Sequence, residues 1–448
     1  MKAWFDSWFT PLDVVDGPVP LTVLCLAGLA TLLLVLRRRR RWWVVVLIVT
    51  ALGGGLTWAA AWLIERYTSL ADGPFPAEVF LAAWWAVAAV LLALVALVLG
   101  RWWRRILSPV AAALVVLAAA VQINAYYGLY LTGGDITGAG SAAVRPLPEA
   151  ATRMHARVKE KQKSHGEAPV ARTWKEPEGL PTKGLIYSVD IPGKASGFVA
   201  RTGYVYLPPA YRAKNRPELP VLILLTGQPG NPNQWLGPGN IAKIMDSYAS
   251  AHKGLAPVVV MPDVTGPDDT ENMCMDTRIA KAGTYLSKDI PEWTRSTLAV
   301  DANPQRWAIA GFSFGGTCAL QMATAHPQQF PSAIVMSGEK EPGIYADRNK
   351  TIAEAFGGDA AAFDAQTPLT LLRKNRYPNS AVYFAAGAAD ATYTGYMNAT
   401  ASAAKAAGMK VEMHSVPGVG HAWKVPNAVL PKALEWLSER LGLVEPRR

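Results

Sequence analysis

Four stretches of this chain carry no charged side chain at all: Gly17 to Leu36, Trp42 to Ile64, Val79 to Gly100 and Ile106 to Gly134. About 20 apolar residues in a helix cross a bilayer core. A helix is the form such a stretch must take there, because every backbone polar group has to be satisfied without water. Buried helices of a soluble domain keep a polar face, and these stretches have none. The sequence therefore predicts a four-span α-helical membrane domain over residues 1–134. Residues 131–448 contain no comparable run and carry 34 Lys/Arg against 28 Asp/Glu, an ordinary balance for a soluble domain. The chain is thus neither wholly soluble nor a pure membrane bundle. With 51% hydrophobic residues it is also too apolar to be disordered.

The loops between the stretches predict an orientation. Arg37 to Arg41 separate the first and second stretches, and Arg101, Arg104 and Arg105 separate the third and fourth. The N-terminal tail holds Asp6, Asp13 and Asp16 against Lys2, and the loop after the second stretch holds Glu65, Asp72 and Glu78 against Arg66. Short Lys/Arg-rich loops stay in the cytoplasm. Both termini, and whatever follows the fourth span, are expected outside. Trp42, Trp43, Trp102 and Trp103 flank the Arg clusters, where an interfacial aromatic belt belongs. No Asp, Glu, Lys, His or Arg lies within a span, which disfavours a transporter. Gln122 and Asn124 are the main polar residues of the fourth span and are expected to bond to a neighbouring helix.

Residues 135–180 read as a linker, including a basic run from Arg153 to Lys163. Residues 181–448 alternate short β-rich runs with helix-length segments. Tyr204 to Leu207, Val221 to Leu225, Val258 to Met261, Trp307 to Ala310, Ala333 to Met336, Val382 to Phe384 and Val411 to Met413 read as strands. Such a pattern predicts a mostly parallel sheet with helices on both faces.

Gly311-Phe-Ser-Phe-Gly315 fits G-x-S-x-G, with a strand before it and a helix-forming stretch, Thr317 to Ala325, after it. That is the strand–turn–helix setting of a nucleophile elbow. Ser313 is the candidate nucleophile, at a helix N-terminus where negative charge is favoured. A serine hydroxyl needs a base. His155 and His165 fall in the linker, His326 closes the elbow helix and His414 lies in a strand. His421, in the loop after the last strand, is the expected base. The orienting acid should stand between nucleophile and base in the chain. Asp390, in the loop after the strand at 381–386, is the favoured acid and Glu339 its rival. Asp359 and Asp364 read as surface residues of a mobile segment. The oxyanion needs backbone donors. Phe314 supplies one, and Gln228, in Thr226-Gly-Gln-Pro-Gly230, supplies the other because Pro229 has no N–H. Trp235, Glu339 and Trp423 are candidate pocket residues, with plain packing an equal reading for Trp235.

At these residues the chain resembles a known family. Val205-Tyr-Leu-Pro-Pro209, Leu224-Leu-Thr-Gly227, Val260-Met-Pro-Asp263, Gly311 to Gly316, His326-Pro327 and Gly420-His-Ala-Trp423 are similar to the esterase D and mycolyltransferase-like family of α/β-hydrolases. Thr226 stands where that family usually has His. The resemblance implies an α/β-hydrolase fold and a Ser313–Asp390–His421 triad that forms an acyl-enzyme on ester substrates.

Together these readings predict a membrane-anchored serine esterase or acyltransferase of the cell membrane. Its hydrolase domain would be extracytoplasmic, and its substrate a lipid, aminoacyl-lipid or glycolipid ester of the envelope. Four spans, where one would anchor, point to lateral access for a lipid or to a membrane-protein partner. The alternative class is a degenerate hydrolase domain that binds an envelope component without turnover. No cofactor is expected, and no metal, since H-E-x-x-H and clustered histidines are lacking and three cysteines cannot make a four-cysteine zinc site. Nucleic acid is not an expected partner, because membrane topology accounts for the clustered arginines. Cys274 and Cys318 both fall in the domain placed outside, where disulfides persist. They are expected to pair, two buried thiols being the alternative.

Overall fold

The computed structural model describes residues 8–67, 75–137, 144–148, 168–267, 272–345 and 347–446. Lys2, Trp4, Asp6, Asp72, His155, His165 and the basic run from Arg153 to Lys163 lie outside them. The chain divides into two compact units, Met1–Ser141 and Ala142–Arg448.

The first unit contains four helices long and apolar enough to cross a membrane: α1 (Pro18–Val35), α2 (Arg40–Tyr67), α3 (Ala77–Leu99) and α4 (Trp102–Tyr127). Pro18 occupies the first turn of α1, where a missing N–H costs nothing. The last charge-free stretch runs on to Gly134, but α4 stops at Tyr127 because Gly128 turns into the left-handed region. Asn124 bonds locally and not to a neighbouring helix: its side chain accepts from Tyr130 N (2.8 Å) and donates to Tyr130 O (2.8 Å). It closes the turn after its own helix, since a side chain in the last turn reaches those freed backbone groups first. Tryptophan and arginine make bonds between helices instead. Trp84 Nε1 donates to Thr50 O (2.8 Å) and Trp85 Nε1 to Thr31 Oγ1 (3.0 Å). Arg104 donates to Leu33 O and Leu36 O, both at 2.9 Å, and so caps the end of α1. Trp102 and Trp43 are exposed as an interfacial belt requires. Trp42 is not: it is buried beneath the Arg37 guanidinium and donates to Val35 O. Val14 N donates to Leu131 O (3.0 Å), so the chain enters and leaves this unit at one end.

The second unit is built on a nine-stranded sheet in the order β1-β2-β3-β5-β4-β6-β7-β8-β9. The strands are β1 (Arg145–Pro146), β2 (Leu185–Val189), β3 (Gly203–Leu207), β4 (Val221–Leu225), β5 (Val258–Met261), β6 (Trp307–Phe312), β7 (Ser332–Met336), β8 (Ala381–Gly387) and β9 (Lys410–Val416). From β5 through β4 and β6 to β9 all pairings are parallel; β3 joins β5 and β2 antiparallel. β4, β6, β7 and β8 are buried along their whole length, which explains their unbroken apolar sequences. Of the helices, three bear on the site: α5 (Phe314–Ala325), α6 (Ala391–Ala406) and α7 (Lys424–Arg440). The register Leu225↔Gly311 and Gly387↔Val416 sets the loops after β4 and β6, and those after β8 and β9, side by side. All four open at the carboxyl edge of the sheet, where ligands bind in such folds.

The segment between β7 and β8 is more ordered than its sequence suggests. Asp359 caps a short helix by accepting from Ala362 N (2.9 Å), and Asp364 pairs with Arg348. Ile352, Ala355 and Phe363 form a small core with Met273 and Met275. Those methionines flank Cys274, which is disulfide-bonded to Cys318 on α5.

Candidate active site

Ser313 sits between β6 and α5 with φ 57° and ψ −126°. A non-glycine residue holds positive φ only where its surroundings over-determine it. Here the crossing is so tight that a Cβ at Gly311 would strike the carbonyl oxygen of Gly315, and one at Gly315 would strike that of Leu225. Ser313 N donates to Met336 O (2.9 Å), which pins the elbow to the end of β7. The side chain therefore projects above the sheet at the amino end of α5.

His421 meets it there. His421 Nε2 lies 2.9 Å from Ser313 Oγ. The imidazole is held between two aromatic rings, Phe312 at 5.1 Å and Tyr393 at 4.0 Å between ring centroids. Burial in this slot pushes the imidazole down to about 4, while the Asp390 carboxylate pulls the other way. The ring is consequently neutral near pH 7. Asp390 Oδ2 lies 3.6 Å from His421 Nδ1, beyond hydrogen-bond distance, and its Oδ1 accepts from Tyr393 N (3.1 Å), capping α6. Glu339 is turned elsewhere: its N–H donates to Thr317 Oγ1 (2.9 Å), whose hydroxyl also faces its carboxylate (3.3 Å). Of the two rival acids, the sheet order brings Asp390 to the imidazole, whereas Glu339, after β7, bonds to Thr317 in the first turn of α5.

The loop from Thr226 to Gly230 lies against Ser313. A Cβ on Gly227 would stand 3.1 Å from Ser313 Cβ, so the chain passes as close as glycine permits. Phe314 is the first residue of α5, where N–H groups have no partner within the helix. Trp235 and Trp423 pack as a T-shaped pair, centroids 5.0 Å apart, and Trp423 also meets Phe312. They are 0% and 5% exposed, and these ring contacts agree with the packing reading given for Trp235. The sequence reading missed the slot residue Tyr393, although it stands three residues after Asp390 on the same turn.

A family model described as "Putative esterase" matches residues 199–437, more than half of the chain. The chain belongs to the esterase family. An uncharacterized protein of Corynebacterium glutamicum is 32% identical over 396 residues, 86% of this chain and 87% of its own length. That alignment is longer than the second unit, so the relative shares sequence with the helical unit as well. Among solved structures, a ferulic acid esterase superposes with a TM-score of 0.51 at 18% identity, covering 58% of this chain and 99% of that one. An S-formylglutathione hydrolase from Agrobacterium tumefaciens is 20% identical, with a TM-score of 0.48 and coverage of 58% and 97%. The esterase is thus a serine ester hydrolase with an α/β-hydrolase fold, and it carries four long apolar helices ahead of that fold.

Proposed function

We propose that Ser313, His421 and Asp390 are the catalytic triad of a membrane-anchored esterase or acyltransferase. The observation that carries this reading is the 2.9 Å contact between His421 Nε2 and Ser313 Oγ at the elbow. The neutral imidazole takes the hydroxyl proton as Oγ attacks the ester carbonyl carbon. The resulting oxyanion is stabilised by the N–H groups of Phe314 and Gln228. Collapse of the tetrahedral intermediate expels the alcohol, which leaves with the proton from His421, and an acyl-Ser313 remains. Asp390 orients the ring and stabilises its positive form, and the 3.6 Å contact closes as that charge builds. Water, or the hydroxyl of an acceptor, then repeats the sequence in reverse.

The four helices support a membrane-resident substrate. Both Arg-rich loops, Arg37–Arg41 and Arg101–Arg105, join helices at the end away from the chain's entry and exit. By the positive-inside rule this arrangement supports a hydrolase unit outside the cytoplasm. The disulfide agrees with an oxidising compartment. A tether shared with the bilayer raises the effective concentration of an ester that resides there. The substrate class is therefore an envelope lipid, aminoacyl-lipid or glycolipid ester. The test is to label the full-length protein with a fluorophosphonate and then assay it on vesicles of envelope lipid extract. Labelling at Ser313 with ester release or acyl exchange is the expected result. Labelling without either would remove the lipid substrate, and no labelling would remove the triad.

A further inference from the structure

We propose that Arg201 is a positioning residue for turnover: from the edge of β3 it grips the Gly230 carbonyl and so fixes the loop that presents the Gln228 N–H. This rests on the triad reading above.

The Gln228 loop is held at both ends. At its start, Gly227 is pressed against Ser313. At its end, Arg201 Nη2 donates to Gly230 O (2.8 Å), with Thr265 Oγ1 3.5 Å from the same oxygen. Between these points lies Gln228. Pro229 stiffens the middle of the loop, but the glycines at both of these positions leave its two ends free to pivot, so an outside grip bears on where its N–H groups point.

The grip is itself rigid. Arg201 Nη2 and Nε reach the two oxygens of Asp263 at 2.8 and 3.2 Å, and Arg201 N donates to the same carboxylate at 2.7 Å. Asp263 also accepts from Thr265 N (3.3 Å) and Gly266 N (3.1 Å), and Nη2 donates to Thr265 Oγ1. Asp263 is 1% exposed. Burial alone would raise its carboxyl, but the Arg201 bonds hold it below the usual carboxylate range. Arg201 and Asp263 extend β3 and β5, which are paired through Tyr204↔Met261. One guanidinium therefore ties the loop after β4 to two neighbouring strands. A planar fork pairs both oxygens of a carboxylate and presents a further donor at a fixed angle to it, whereas a lysine ammonium is a point charge on a flexible stem and fixes no such geometry. A buried ion pair is a poor source of net stability. Its use here lies in geometry, because oxyanion donors act only within about 2.7–3.1 Å of the developing charge.

The test uses the full-length protein in detergent with p-nitrophenyl acetate. One variant is Arg201→Lys, which keeps a cation for Asp263. The other is Arg201→Met with Asp263→Leu, which replaces the pair by apolar groups. Active sites are counted by exhaustive fluorophosphonate titration of Ser313, so that unfolded protein does not enter the rate. Turnover per titrated site should fall about 10- to 100-fold, the cost of a misplacement near 1 Å. KM should stay within about twofold, since the lost interaction is made only in the transition state. The acid limb of the pH profile should not move, because the His421 slot is untouched. A folded variant of either kind with turnover per site within about twofold of wild type overturns the proposal. Failure of both variants to fold overturns it as well, since the pair would then serve the fold and not turnover. A silent wild type would instead remove the triad reading itself.

Discussion

Leu222 in β4 has no exposed surface, whereas Leu47 in α2 keeps 70% of its own exposed. The contrast holds across the two units. Within the candidate spans of α1 and α2 only 22% of residues are buried, and within those of α3 and α4 only 33%, while β6 and β8 bury every residue. The second unit spends its aliphatic side chains on a dry core. The first directs most of them outward and holds together through small residues and a few polar bonds, such as Gly53 against Ala88 and Trp84 Nε1 on Thr50 O. Helices built this way suit an apolar solvent, where packing and hydrogen bonds replace the hydrophobic effect between helices. The two units are therefore expected to answer differently to the same kind of change.

The largest difference is chemical. Ser313→Ala should lower kcat on p-nitrophenyl acetate by about 10⁴-fold or more, as loss of a triad serine does. The helical content of both units should be unchanged by circular dichroism. Near-normal turnover by the folded variant would break the assignment of chemistry to this unit.

Next comes stability. Removing the Cys274–Cys318 bridge, by Cys274→Ala with Cys318→Ala, should cost the second unit about 4 kcal/mol on loop-entropy grounds. The separation of 44 residues sets that figure. Denaturant titration of the second unit checks it, and a change below about 1 kcal/mol would contradict the entropic account. Leu222→Ala should cost about 2–5 kcal/mol by emptying a buried site, and Leu47→Ala in the first unit close to nothing. Equal costs would mean that the exposed face of α2 is covered by something other than lipid or detergent.

A smaller effect is the pH response. Because burial lowers the His421 imidazole to about 4, the base form persists well below the usual histidine range. kcat/KM should stay level from about pH 8 to pH 5.5 and fall tenfold per pH unit only below about 4. An acid limb near 6.5, the ordinary histidine value, would show that the slot does not desolvate the ring. The same shift bears on stability. Between about 4 and 6.5 the folded state binds fewer protons at His421 than the unfolded chain, so this residue's contribution rises with pH across that window.

The smallest expected effect is on soluble substrate. A chain starting at Ala168 retains every proposed catalytic group and should hydrolyse p-nitrophenyl acetate within about twofold of the full-length rate. Its activity on lipid esters in vesicles should fall much further, because the tether is gone. Equal rates on vesicles would sharpen the comparison differently: the helices would then serve as an anchor or a docking site for a membrane protein.

Much of this was legible in the sequence because it depends on near neighbours in the chain. A run without charge must become a helix in lipid, and a Gly-x-Ser-x-Gly turn between an apolar strand and a helix requires glycine locally, since a Cβ at Gly311 would strike the carbonyl of Gly315. The continuous apolar strands and the Ser–Asp–His order could likewise be read in one dimension. β1 and β2 escaped notice, since one has two residues and the other is only partly buried, so neither has a strong pattern. What remained was decided in three dimensions. Asp390 and Glu339 both follow strands, and only the registers of β8 and β9 show which carboxylate reaches His421. Trp235 and Trp423 are far apart in sequence, and only the fold brings their rings into contact. Arg201 stands well before the loop whose Gly230 it holds, because β3 and β4 are separated in the sheet by β5, a later strand. Sterics between adjacent residues are written locally in a sequence. Contacts between loops depend on strand order and register, which only the assembled sheet fixes.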